Sequence, residues 1–201
     1  MTTNGPVAFT LVFLAALLAG LDARAEDARV KSQVDAIEVP AHKQHRLGLV
    51  LTAREAARYL AIYRDILMID VRATIHVRRL GIATPVARNI PYVFDRNDGR
   101  PGTQPNWAYN KRFASEVKSL LVRRGAKPDA TLFLICNSGT LSAIAAQALA
   151  DLGYTRIYTV IDGFSGEPDE AAPANSTAWK HVGLPWTAEP RPSQMTNRPQ
   201  T

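Results

Sequence analysis

The chain has 201 residues, 46% hydrophobic, 21% charged and 7% aromatic, an ordinary globular composition that supplies one core and not comfortably two. Its formal net charge of +6 and pI near 9.7 admit a nucleic acid, a membrane surface or an anionic small molecule as partner. The arginines are scattered and no nucleic-acid motif accompanies them. That excludes nucleic acid and leaves the charge as a hint of anionic partners.

The first element is an unbroken apolar run, Val7 to Leu21, followed by Ala23-Arg24-Ala25. It is shorter than the roughly 20 residues a bilayer core requires. It fits the apolar stretch of a secretory signal, with Ala23 and Ala25 as the small residues before a cut. The expectation is a signal peptide over 1–25, a periplasmic mature protein and no stable membrane insertion after cleavage. Residues 26–46 are polar, contain Pro40 and read as a linker. His42 and His45 stand three apart in it without a second pair or a carboxylate cluster, so no metal and no cofactor is expected.

From residue 47 the pattern becomes regular. Thr52 and Glu55 form a capping box ahead of a helix whose apolar positions are Ala56, Ala57, Leu60 and Ala61. Ile66 to Ile69 is a short apolar run ending in Asp70-Val71-Arg72, which suits a strand buried on both faces. Residues 95–106 are turn chemistry throughout and predict a surface loop. Phe113, Val117, Leu120 and Leu121 mark a second helix stopping at Gly125. Thr131 to Ile135 predicts a buried strand running into Cys136, Ser142 to Leu152 a helix closed by Gly153, and Ile157 to Ile161 a third buried strand. A short helix around Trp179 and a flexible Pro-rich tail over 189–201 complete a domain expected to span 47–188. Strands alternating with helices imply a parallel sheet, whose ligand site lies at the carboxyl ends of its strands. The loops after Asp70, at Cys136 and at Asp162 should therefore meet on one face.

Cys136 is the only cysteine, so it forms no internal disulfide. It is either buried and inert or kept for its reactivity. The segment Cys136-Asn137-Ser138-Gly139-Thr140-Leu141-Ser142 joins a strand to a helix. Backbone N–H groups of such a loop, and the positive end of the helix dipole, favour a thiolate or a persulfide at Cys136. Gly139 permits a conformation a side chain would resist, and Ser142 is the candidate N-cap.

These residues resemble the active-site loop of the rhodanese family. Ile69-Asp70-Val71-Arg72 resembles its Asp-Val-Arg strand end, and Ala87-Arg88-Asn89-Ile90-Pro91-Tyr92 its Ala-x-Asn-Ile-Pro element. Leu152-Gly153-Tyr154, Asp162-Gly163-Phe164-Ser165-Gly166 and the segment Trp179 to Trp186 follow in the family's order, over about 140 residues, one domain's worth. The resemblance implies an α/β, rhodanese-like three-layer domain with a central parallel sheet flanked by helices. It implies a sulfurtransferase in which Cys136 takes a sulfane sulfur from a small anionic donor such as thiosulfate and gives it to cyanide, a thiol or a sulfur-accepting protein. Asn137, Ser138, Gly139, Thr140, Leu141 and Ser142 would hold the donor and the persulfide. Asp70 and Arg72 would either help build the pocket wall or form a structural ion pair.

The loop also departs from the family pattern. Many thiosulfate users carry Arg directly after the cysteine and another cation near the loop's end, where this chain has Asn137 and Leu141. The nearest cations are Arg72, Arg78 and Arg79. That leaves open a non-catalytic persulfide carrier or partner-binding module. A Cys-dependent phosphatase is disfavoured, because its longer loop ends in an Arg and no Arg lies between Cys136 and Ser142.

Overall fold

The structure, a computed structural model, describes residues 27–97, 100–127, 129–166 and 177–196. The expected signal peptide lies outside the described residues. Among those residues no helix is long and apolar enough to cross a membrane.

A five-stranded parallel sheet organises the molecule, with strands β1 (Val50–Leu51), β2 (Leu67–Asp70), β4 (Val86–Asn89), β7 (Leu132–Ile135) and β8 (Ile157–Val160) in the order β1-β8-β7-β2-β4. The three central strands, LMID, LFLI and IYTV, are buried at every position. Apolar runs of this kind suit strands covered on both faces. The flanking helices are α1 (Ala53–Ile62), α2 (Thr74–Leu80), α3 (Phe113–Arg123) and α4 (Thr140–Asp151). Two antiparallel pairs complete the fold: β3 (Ile82–Ala83) with β9 (Trp186–Thr187), and β5 (Val93–Asp95) with β6 (Trp107–Tyr109).

The capping box forms as its residues predict. Thr52 Oγ1 accepts from the Glu55 N–H, and Glu55 Oε2 accepts from the Thr52 N–H at 2.8 Å. Glu55 also reaches upstream, where its Oε1 accepts from the Gln33 N–H at 2.6 Å. That contact belongs to the first correction. Residues 27–46 are no linker but a strap fastened to the domain. Val30 and Val39 are buried, the Asp27 N–H donates to Tyr158 Oη, and Thr131 Oγ1 donates to Asp27 at 2.8 Å. The Tyr59 hydroxyl donates to the Lys31 carbonyl. His45, expected to be solvated, is buried with Nε2 at 3.1 Å from the Leu49 carbonyl. The strap's polar composition conceals that its polar groups find partners on the domain, so burying them leaves few unsatisfied.

The tail is corrected likewise across 189–196. Gln194 is buried and donates to the carbonyls of Thr84 and Val86. It thereby covers the outer edge of β4, an edge strand that would otherwise offer free pairing groups. The helix expected around Trp179 is a single turn, in which the His181 and Val182 N–H groups donate to the Ala178 carbonyl. The fully buried indole of Trp179 donates to the Pro185 carbonyl.

Candidate active site

Cys136 follows the last residue of β7 directly, so its position is fixed by a fully buried central strand. The loop after β8 holds the segment that continues from it. The Phe164 N–H donates to the Cys136 carbonyl at 2.8 Å, and those of Ser165 and Gly166 donate to the Asn137 carbonyl. Gly163 makes this approach possible. Its φ is +67°, and a Cβ there would lie 2.1 Å from the Asn137 carbonyl oxygen. Gly139 is under the same constraint, with φ +101° and a would-be Cβ 2.3 Å from the Ile161 carbonyl oxygen. The loops after β7 and β8 are therefore in backbone contact beside the cysteine.

Gly139 is also the N-cap of α4, and its N–H donates to the Cys136 sulfur at 3.1 Å. This corrects the cap assigned to Ser142. The helix starts at Thr140, and Ser142 sits in its first turn, where its hydroxyl donates to the Gly139 carbonyl at 2.8 Å. Side-chain preference for Ser at a cap loses to the positive φ that the close packing on Ile161 demands. Ser142 Oγ still stands 3.6 Å from the sulfur as an acceptor for the thiol. The first-turn N–H groups have no intrahelical acceptor and add to the positive end of the helix dipole beside Cys136.

Asp70 and Arg72 form an ion pair within one turn of chain. The Arg72 N–H and Nε both donate to Asp70 Oδ1 at 3.0 Å, and Nη2 donates to Oδ2 at 2.6 Å and to the Gly81 carbonyl at 2.8 Å. The guanidinium lies over the Phe164 ring, 4.2 Å from its centroid. Asn89 ties this turn down, donating to the carbonyls of Asp70 and Arg72. Both members of the pair are buried, yet Arg72 keeps one nitrogen, Nη1, without an acceptor among the described residues. The pair is structural in its contacts, and Arg72 alone of the two reaches the pocket wall.

That pocket has a volume of about 390 Å3. Cys136, Asn137, Ser138, Thr140, Leu141 and Ile144 come from β7–α4, Arg72, Ala73 and His76 from the β2–α2 connection, and Val93, Trp107 and Tyr109 from β5–β6. Of the residues singled out in the sequence, Gly139, Ser142 and Asp70 support the wall from behind. Arg78 and Arg79 are exposed and do not line it. Sequence reasoning missed the β5–β6 contribution. Strand alternation puts Trp107 and Tyr109 on one face of the hairpin, the face of Val93, with which Tyr109 is paired. His76 packs edge-on against Trp107, at 5.4 Å between centroids. Burial, followed by the positive charge of Arg72, pushes the His76 imidazole below its ordinary value, so it is neutral at pH 7.

The arrangement offers one buried nucleophilic sulfur, a backbone donor on it and a neutral pocket in front of it. Among known proteins, the model of the Rhodanese-like domain matches residues 52–166. The chain is 35% identical over 77 residues to an uncharacterised protein of Rickettsia prowazekii, covering 38% of this chain and 55% of that protein. A homologue from Rickettsia rickettsii is 33% identical over 81 residues, covering 40% and 58%. The chain thus spans little more than half the length of these curated relatives. The crystal structure of Rv0390 from M. tuberculosis superposes with a TM-score of 0.52 at 26% identity, covering 70% of this chain and 97% of that one.

Proposed function

We propose, from the premise that the chain belongs to the rhodanese-like domain family, that it moves a sulfane sulfur through a persulfide on Cys136. The observation that carries this reading is the Gly139 N–H on the Cys136 sulfur, at a helix N-terminus that opens into a pocket. The thiolate attacks the outer sulfur of a donor such as thiosulfate. The sulfur–sulfur bond of the donor breaks and sulfite leaves with the electron pair. An acceptor, cyanide or a thiolate, then attacks the terminal sulfur of the persulfide, and Cys136 returns as thiolate. Splitting the transfer in two makes each step a displacement at an accessible sulfur. Asn137, Ser138 and Thr140 line the path, and Arg72 Nη1 is a donor without an acceptor among the described residues. Incubation with thiosulfate should add one sulfur to the intact mass of the wild type and none to Cys136→Ser. Equal gain in the mutant, or no gain in the wild type from any donor, sinks the relay.

A second reading keeps the persulfide but dispenses with small donors. Arg72 is paired to Asp70, and Asn137 and Leu141 are neutral, so the pocket offers a dianion little net charge. In that reading the domain is a carrier charged by a partner protein. A cyanide-dependent thiocyanate assay separates them, with turnover supporting the enzyme and its absence the carrier.

The apolar run Val7 to Leu21 and the alanines before Glu26 support export to the periplasm. Intact mass from the exporting cell fraction should begin at or near Glu26. A mass retaining 1–25, found only in cytosol or membrane, removes this part.

A further inference from the structure

Resting on the sulfur-transfer reading, the geometry points to an organic persulfide with an apolar body, rather than an inorganic dianion, as the donor that charges Cys136. Three observations converge. Among the described residues that line the pocket the one formal cation, Arg72, is matched by Asp70, whose side chain meets it at 2.6 Å, so no net side-chain charge is left to balance a doubly charged ion, and only dipoles and the Arg72 Nη1 donor remain for it. The space, about 390 Å3, lies in the range of pockets that take whole organic molecules and far exceeds an ion of a handful of atoms. The mouth is apolar, with Trp107 47%, Tyr109 69% and Ile144 43% exposed, contributed by two separate elements. Large apolar groups so exposed, around a concavity that ends on a nucleophile, are a recognition surface.

Depth selects a small molecule over a protein as occupant. Cys136 is only 1% exposed, so a folded partner's cysteine would have to be threaded past Trp107 and Ile144 to touch it, whereas a persulfide on a compact apolar stem enters whole. In the reaction the Cys136 thiolate attacks the terminal sulfur of R–S–S–H. The bond between the two donor sulfurs breaks, R–S⁻ leaves with its electron pair, and the hydrogen stays on the transferred sulfur, giving Cys136–S–S–H. No external oxidant or reductant is required. The apolar R group remains against Trp107 and Ile144 while the bond exchange occurs.

The test uses the full chain and two donors of equal charge, methyl persulfide and benzyl persulfide. Each rate is normalised to that donor's reaction with a free small thiol. Sulfur on Cys136 is read by intact mass after alkylation. The wild type should be charged at least about tenfold faster by the benzyl donor, equivalent to ~1.4 kcal/mol of apolar contact. Trp107→Ala and, separately, Ile144→Ala should bring that ratio down to about threefold or less. These variants stand on different elements at partly exposed positions, so loss of folding in one leaves the other as a test. A wild-type ratio near one, or a ratio unmoved in both variants, overturns the assignment while leaving sulfur transfer standing. A protein-borne persulfide outrunning the benzyl donor overturns it in favour of a protein partner. Failure of every donor, thiosulfate included, removes both readings together.

Discussion

The described residues contain the same three-residue device twice, and the two copies serve different ends. Asp27-Ala28-Arg29 and Asp70-Val71-Arg72 each fold so that the arginine N–H and Nε donate to one aspartate oxygen and Nη2 to the other, at 2.7 Å in the first and 2.6 Å in the second. Spacing makes this geometry; surroundings decide its meaning. In the copy beside the candidate site the side chains are 0% and 1% exposed, while in the strap the arginine is 42% exposed. A buried pair is weak evidence of net stabilisation but is severely missed when one half is removed, whereas an exposed guanidinium is bathed in water whatever its partner does. The strap copy also reaches outward to Asp65 at 2.9 Å, and its aspartate inward to Thr131. It works as a clasp between surface and core.

Breaking each copy should therefore give unequal results. Asp70→Ala leaves the Arg72 charge buried and unpaired, and should cost about 3–5 kcal/mol in chemical denaturation. If Asp70→Ala and Asp27→Ala cost the same, the contrast between the two sites is wrong. Asp27→Ala removes a carboxylate that accepts from Arg29 and Thr131, and should cost about 1.5–3 kcal/mol. It should also raise proteolysis within residues 27–46 before the domain itself opens. The hydrogen bond from Arg29 holds the Asp27 carboxyl well below the usual carboxylate range. Its share of stability is present above the unfolded value near 4 and is lost as pH falls toward the folded one, so Asp27→Asn should flatten the acid limb of a stability curve.

Each region also contains a histidine, and these sharpen the comparison at milder pH. Burial pushes His45 in the strap and His76 at the pocket below the ordinary value of 6.5. The unfolded chain then takes up protons more readily, so stability is complete above pH 6.5 and declines as pH drops through the folded values. Urea midpoints at pH 7.5 and 5.5 should differ in the wild type and differ less in His45→Asn. The smallest effect is expected at the outer limb of the clasp. Asp65→Asn should change stability by about 0–1 kcal/mol, with the difference shrinking in high salt.

What could be read from residues alone follows the same division between local and distant causes. Central strands such as Leu132–Ile135 announce themselves because burial on both faces forces a continuous apolar run, and Thr52 with Glu55 announces a helix start within four residues. The cysteine loop was legible for the same reason, its parts being contiguous. The strap was not, because its partners Thr131 and Tyr158 lie more than a hundred residues away and nothing local marks Asp27 as buried. Ser142 was misplaced because the cap is dictated by a contact between Gly139 and Ile161, which spacing does not reveal. The aromatic lip was hidden by the turn-rich stretch before it. Asp95 anchors that stretch by accepting from the N–H groups of Asn97 and Asn106, and the two strands it joins are only three residues each.

The order β1-β8-β7-β2-β4 has a consequence in time. The strand that comes first in the chain pairs with β8, the last of the parallel set, and Asp27 binds Tyr158 across 131 residues. On the ribosome β1 must wait unpaired until residue 160 has emerged, and Asp27 must wait as long for Tyr158, although the strap's contacts to Glu55, Tyr59 and Asp65 can form earlier. Contacts so distant in sequence make for slow folding and a long-lived open chain. Closing the parallel sheet thus waits for a late segment of the chain, and a chain shortened just before β8 would lose the partner of β1 and the Tyr158 anchor of Asp27 at once.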